Sequence, residues 1–190
     1  MRQRHRRAPL ALIILAGLLP AGAFCAPAGA VPPSVDGGDT HSAVVRSDGT
    51  LWTCGDNTVG QLGLGDTAQR TSFAQVGAGN EWAVVACGFM HTLAIRQDGT
   101  LWSWGWNAAG QLGQGAPDAL PHPTPVQVGA RTDWVHVSAG YLHSAAVTAN
   151  GELWCWGSNA SGQLGDGTNI ARPTPTRIGT ADDWDDVTCG

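Results

Sequence analysis

Three stretches of the chain align without a gap: His41–Gly63 (HSAVVRSDGTLWTCGDNTVGQLG), His91–Gly113 (HTLAIRQDGTLWSWGWNAAGQLG) and His143–Gly165 (HSAAVTANGELWCWGSNASGQLG). Gly38, Gly88, Gly140 and Gly190 mark the units at spacings of 50, 52 and 50 residues. A spacing this regular means one supersecondary unit used repeatedly, each copy burying its apolar face against the next.

Within a unit the periodicity is that of short strands. The runs Val84–Gly88, Val135–Gly140 and Asp185–Gly190 each end in glycine, with Ser34–Gly38 as a degenerate first copy. A second strand starts at each histidine. Asp48-Gly49, Asp98-Gly99 and Asn150-Gly151 follow, and predict a two-residue type I′ hairpin. The third strand alternates, putting Trp102 and Trp104 on one face and Leu101 and Ser103 on the other. After the glycine-rich loop, Pro123 and Pro125, like Pro173 and Pro175, predict an outer strand, because proline cannot donate to a ladder. Four antiparallel strands per unit of about 50 residues is the period of a propeller blade. The expected fold is all-β: a partial, open β-propeller of about three four-stranded blades, with repeats at about 38–87, 88–139 and 140–189.

Charge divides the chain. Residues 1–30 carry Arg2, Arg4, Arg6 and Arg7 and no acid, and an apolar run, LALIILAGLL, follows them. With small residues up to Ala28-Gly29-Ala30, this reads as a secretory signal peptide over 1–30, then a linker over 31–37. Cys25 lacks the usual surroundings of a lipidation site. The remainder carries six arginines against 15 acids and no lysine. That balance argues against nucleic acid as a partner. No membrane association is expected after cleavage, so the chain should be secreted, periplasmic or at the cell surface.

The run VxxCG-xxHT-xxIRxDGTLWSWGxNxxGQLG resembles the repeat of the regulator of chromosome condensation (RCC1) family, across roughly residues 34–190. The resemblance implies a seven-bladed propeller, of which three units are present. It raises three readings: a truncated product, self-association, or completion by another chain. The family's best-known activity is guanine-nucleotide exchange on a nuclear GTPase, made by a wedge-like insertion between strands. The unit lengths leave no room for such a wedge, so exchange is not expected here.

No residue set reads as catalytic, and no cofactor is implied. His41, His91 and His143 recur at one template position on three units, and are expected to be structural, bonding adjacent turn backbone rather than a metal. Trp52, Trp102 and Trp154 are expected to be structural in the same way. The four cysteines beyond the leader suggest Cys54–Cys87 and Cys155–Cys189 disulfides, although alternation puts Cys54 and Cys155 on opposite faces, so both pairs cannot share one geometry. Free buried thiols are the alternative. Trp106 takes the loop position held by Asp56 and Ser158 in the other copies, which suits a binding contact. The expected function is a non-catalytic, exported protein–protein interaction scaffold. The alternatives are a carbohydrate-binding or enzyme-associated propeller module, or an incomplete propeller without independent function.

Overall fold

The computed structural model describes residues 30–190, so the expected signal peptide and Cys25 lie outside the described residues. Three four-stranded antiparallel sheets follow one another along the chain. The first comprises β1 (Ser34–Gly37), β2 (His41–Val45), β3 (Leu51–Gly55) and β4 (Arg70–Gln75). The second comprises β5 (Trp82–Cys87), β6 (His91–Arg96), β7 (Leu101–Asn107) and β8 (Asp118–Gln127). The third comprises β9 (Trp134–Ala139), β10 (His143–Thr148), β11 (Leu153–Gly157) and β12 (Arg172–Arg177). In each sheet the strands are ordered as in the chain, and the proline-bearing β8 and β12 are edge strands.

The boundaries differ from the sequence reading in four places. Residues 34–37 are not linker: they form β1 and pair with β2 from Ser34↔Val45 to Gly37↔Ser42. Repeats cut at the marker glycine therefore separate each blade's first strand from its other three. Residues 185–190 form no ladder, yet they occupy the place of a further first strand. Trp184 N donates to Gly151 O (3.2 Å) as Trp82 N does to Gly49 O (3.1 Å). Likewise Cys189 N donates to Ser138 Oγ (2.9 Å), as Cys87 N does to Asp36 Oδ2 (2.8 Å). Trp106 lies inside β7 rather than in a loop.

The hairpin turn also differs. Only glycines take positive φ among the described residues, so Asp48 cannot occupy the first position of a type I′ turn. Instead Gly49 N donates to Arg46 O (2.8 Å), with Gly49 at φ 80°. This is the three-residue loop with glycine in the left-handed position. The Asp48 carboxylate accepts from Thr50 N (3.1 Å) and Thr50 Oγ1 (2.6 Å), and the same bonds recur at Asp98 and Thr100.

The core lies between the blades rather than inside any one of them. One face of the first sheet (Ala43, Val45, Leu51) meets Trp82, Val85, Cys87, Ala94 and Trp104 of the second. The second sheet's Leu93, Ile95 and Leu101 meet Trp134, Ala146 and Trp156 of the third. Alternation dictates this: odd positions of β7 face the following blade and even positions the preceding one. Each interface is then locked by polar bonds. Trp104 Nε1 donates to Gln61 O (2.9 Å) across one, and Trp156 Nε1 to Gln111 O (2.8 Å) across the other.

All four cysteines among the described residues are free thiols. A Cys54–Cys87 disulfide is incompatible with the sheet. Cys54 pairs with Ser42 on the face of the first sheet that looks away from the second blade, while Cys87 packs against the opposite face with Ala43. Cys155 faces forward beside Ala145, in one cluster with Cys189.

Candidate functional site

His41 and His91 bond side chains of the following blade, not the turn backbone. His41 Nε2 lies 2.8 Å from Thr92 Oγ1 of the next blade, and His91 Nε2 lies 3.0 Å from Ser144 Oγ. The Thr92 hydroxyl gives its single proton to Gln61 O (2.8 Å), and that of Ser144 gives its own to Gln111 O (2.8 Å). Each hydroxyl can then only accept from the imidazole, so Nε2 carries the proton in His41 and His91. The Nδ1 atoms of both are buried without partners, as befits neutral rings. The rings lie over the marker glycines, where a Cβ on Gly38 would sit 2.7 Å from His41 Cε1. His143 makes no such bond among the described residues and is half-buried. Among the described residues no group of three or more histidine, cysteine or acidic side chains is placed to hold a metal.

This burial makes stability pH-dependent. Desolvation pushes His41 down to about 4. Desolvation, with smaller contributions from His41 and His143, pushes His91 down to about 3. In the unfolded chain both titrate near 6.5. The native state therefore binds fewer protons than the unfolded state between these values, and stability falls as pH drops from 6.5 towards the folded values. Full displacement is worth roughly 3 kcal/mol for His41 and roughly 5 kcal/mol for His91. Urea unfolding is expected to show a midpoint lower by about 1 M or more at about pH 4.5 than at about pH 7. A midpoint that does not move would contradict buried neutral imidazoles.

The strands place one set of variable residues at one end of the blades. Asp56 N donates to Thr40 O (2.9 Å), Trp106 N to Met90 O (2.9 Å) and Ser158 N to Leu142 O (2.8 Å). The three expected contact positions thus sit on an identical backbone frame beside the loops that join first and second strands. Each is half-buried, not exposed. Behind them Asn57, Asn107 and Asn159 brace the glycine loops: Leu62 N, Leu112 N and Leu164 N donate to their Oδ1 atoms at 2.9, 3.2 and 3.0 Å.

The copies differ where the frame meets solvent. In the first, Gln61 Nε2 donates to Asp56 Oδ2 (2.7 Å). In the second, tryptophan replaces that aspartate, and the buried Gln111 Nε2 has no protein partner. The adjoining loops add Asp39, Phe89 and Tyr141. Phe89 and Tyr141 stack at 4.1 Å between ring centroids, and Tyr141 is 57% exposed. These residues, with Gly38, Gly88 and Gly140, line a shallow hollow of about 270 Å³. No local signal marks this aromatic pair in the sequence, because Phe89 and Tyr141 follow their marker glycines in a variable position.

Trp52, Trp102 and Trp154 serve the frame, each indole N–H bonding a residue two positions back: Thr50 Oγ1 (2.9 Å), Thr100 Oγ1 (2.9 Å) and Glu152 Oε2 (3.2 Å). Arg96 lies between Trp82 and Trp102, 4.7 and 3.8 Å from their ring centroids. The third blade has Thr148 at the position of Arg96. There Arg131 reaches Trp134 and Trp154 from the preceding loop, at 5.5 and 4.8 Å. A cation against two aromatic faces is an interaction of about 1 kcal/mol or more, which explains why a different residue supplies it.

Residues 48–95, 98–147 and 150–190 match the model of the regulator of chromosome condensation (RCC1) repeat. The chain belongs to the RCC1-repeat family. It is 43% identical over 123 residues to the probable E3 ubiquitin-protein ligase HERC4 of Homo sapiens, covering 64% of this chain and 12% of that protein. It is 40% identical over 128 residues to the secretion-regulating guanine nucleotide exchange factor of Mus musculus, covering 66% of this chain and 27% of that one. Yeast RCC1 (Prp20), solved bound to Kap60, superposes with a TM-score of 0.68 at 26% identity, over 77% of this chain and 36% of that one. RCC1-repeat propellers of this kind are protein-interaction or exchange-type modules, and this chain spans well under half of each relative.

Proposed function

We propose that this chain is an exported, non-catalytic scaffold that holds a protein partner at the loop end of its blades. The observation that carries the reading is the shared backbone frame under Asp56, Trp106 and Ser158. Three blades hold that position with the same hydrogen bond and fill it with an acid, an indole and a hydroxyl. A constant frame under changing side chains is how a scaffold sets specificity. The neighbouring Phe89–Tyr141 stack supplies rigid aromatic area of the sort that anchors protein interfaces. Yeast RCC1 bound to Kap60 is a related propeller with a protein partner, which supports this class of function. The basic, apolar leader supports export, and the acidic remainder argues against nucleic acid.

The test is capture of partners by the tagged full chain from the extracellular fraction, followed by the variants Trp106→Asp and Tyr141→Ala. Trp106→Asp recreates the Asp56–Gln61 pair of the first blade and so keeps the fold. Partner recovery is expected to fall at least tenfold in both variants, as for anchors worth over 1 kcal/mol. Recovery of no partner, or undiminished recovery by both variants, would remove this reading. N-terminal sequencing of the extracellular protein is expected to begin near Val31. An unprocessed intracellular product would rule out export while leaving the binding surface to be judged separately.

A further inference from the structure

The front face of each blade receives the first strand of whatever follows it, and one position on each side of that contact is equivalent throughout. Between the first and second blades the pair is Thr53 and Cys87; between the second and third it is Ser103 and Ala139. Where residues 184–190 lie on the third blade, the pair is Cys155 and Cys189. Cys155 sits in β11 opposite Ala145, and Cys189 packs in the same apolar cluster with Leu164 and Val187. In the earlier blades the position of Cys155 carries a hydroxyl that donates to the glycine loop: Thr53 Oγ1 to Leu62 O (2.8 Å) and Ser103 Oγ to Leu112 O (2.7 Å). A thiol donates only weakly, so the third copy gives up that bond.

The segment bearing Cys189 is otherwise lightly held. Few backbone bonds attach it to the third blade: Trp184 N to Gly151 O (3.2 Å) and Tyr141 N to Gly190 O (3.4 Å). Cys189 adds its N–H to Ser138 Oγ (2.9 Å), and its Sγ lies 3.7 Å from Ser138 O. Most of residues 180–190 are exposed.

We infer that Cys155 and Cys189, free thiols in this structure, form a disulfide on oxidation that staples residues 184–190 to the front face of the third blade. The two thiols each lose a hydrogen as the new S–S bond forms. An acceptor disulfide of the glutathione class loses its own S–S bond and leaves as two thiols. The first attack occurs when the segment lifts, since burial raises both thiols well above their ordinary range and leaves little thiolate in the closed state. Cys54 and Cys87 stay reduced, because the first sheet separates them.

Oxidised glutathione added to the purified full chain is the test. The expected product has lost two hydrogens, and its non-reducing tryptic map joins the peptide containing Cys155 to the peptide Ile178–Gly190. Oxidation is expected to raise Tm by several degrees and to slow hydrogen exchange at Tyr141 and Cys189. Cys155→Ser and Cys189→Ala copy Ser103 and Ala139, so both variants are expected to fold, to gain no crosslink and to lose the Tm shift. A map showing Cys54 or Cys87 crosslinked, or mixed glutathione adducts alone, would overturn the inference. So would a crosslink that leaves Tm and exchange unchanged.

Discussion

Trp104→Ala is expected to lower the unfolding free energy by about 3–5 kcal/mol, the usual cost of emptying a fully buried tryptophan site. The indole is 0% exposed and stands on the second blade facing the first. It packs edge-on against Trp82 at 6.0 Å, inside the cluster that joins the two sheets. Its N–H is bonded to Gln61 O at 2.9 Å, but that carbonyl also accepts from Thr92 Oγ1 at 2.8 Å. The carbonyl therefore keeps a partner after truncation, and the loss is one of packing. Trp104→Phe retains most of the packing and is expected to cost about 1–2 kcal/mol. Trp102 lies two residues away, is only partly buried, and should cost less on truncation than Trp104. Urea unfolding of the three variants checks the order. If Trp104→Ala were no worse than Trp102→Ala, the interface between blades would not be the core.

Gly105→Ala is expected to be comparably severe, for a different reason. Gly105 has φ 102°, a region that L side chains rarely enter. A Cβ there would sit 2.6 Å from Met90 O, 2.8 Å from His91 Cα and 3.3 Å from Gln61 Cα. All three obstacles are backbone, belonging to the start of β6 with the turn before it and to the first blade's loop, so no side chain can swing aside. Backbone strain of about 1–3 kcal/mol adds to an overpacking cost of similar size. Gly115 provides the control. It has φ 115° but nothing within 4 Å of a Cβ, so Gly115→Ala incurs strain without the clash. Gly105→Ala is therefore expected to lose about 2 kcal/mol more than Gly115→Ala in the same unfolding experiment. Equal losses would show that the close approach at Gly105 relaxes freely.

The repeat, the strand alternation and the edge position of the proline strands were legible in one dimension because each rests on local rules. The periods of strands, the lack of a proline N–H and the glycine-containing turn all act within a few residues. The same locality explains why Trp102 and Trp104 were assigned to one face and why Cys54 and Cys155 were seen to point in opposite directions. The local reading erred where two turn geometries share a composition. Asp48-Gly49 suits both hairpins, and the bond from Thr50 N to the Asp48 carboxylate belongs to the one in which only the glycine has positive φ.

Contacts between blades were hidden, because they join residues about 50 positions apart. That His41 bonds Thr92, and that Thr92 in turn bonds Gln61 O, depends on the rotation from one sheet to the next, which no spacing encodes. The same is true of the candidate surface. Trp106 could be singled out as the odd member of its column, but its frame bond to Met90 O and its nearness to the Phe89–Tyr141 loops follow from strands running side by side. Trp106 also lies in a strand and is half-buried, since β7 extends to Asn107 and pairs there with Asp118. Local sequence therefore specified the blade, through φ preferences and side-chain alternation. The stacking of blades decided which cysteines meet, which imidazoles are sealed neutral and which side chains share the loop end, because desolvation and packing depend on neighbours distant in the chain.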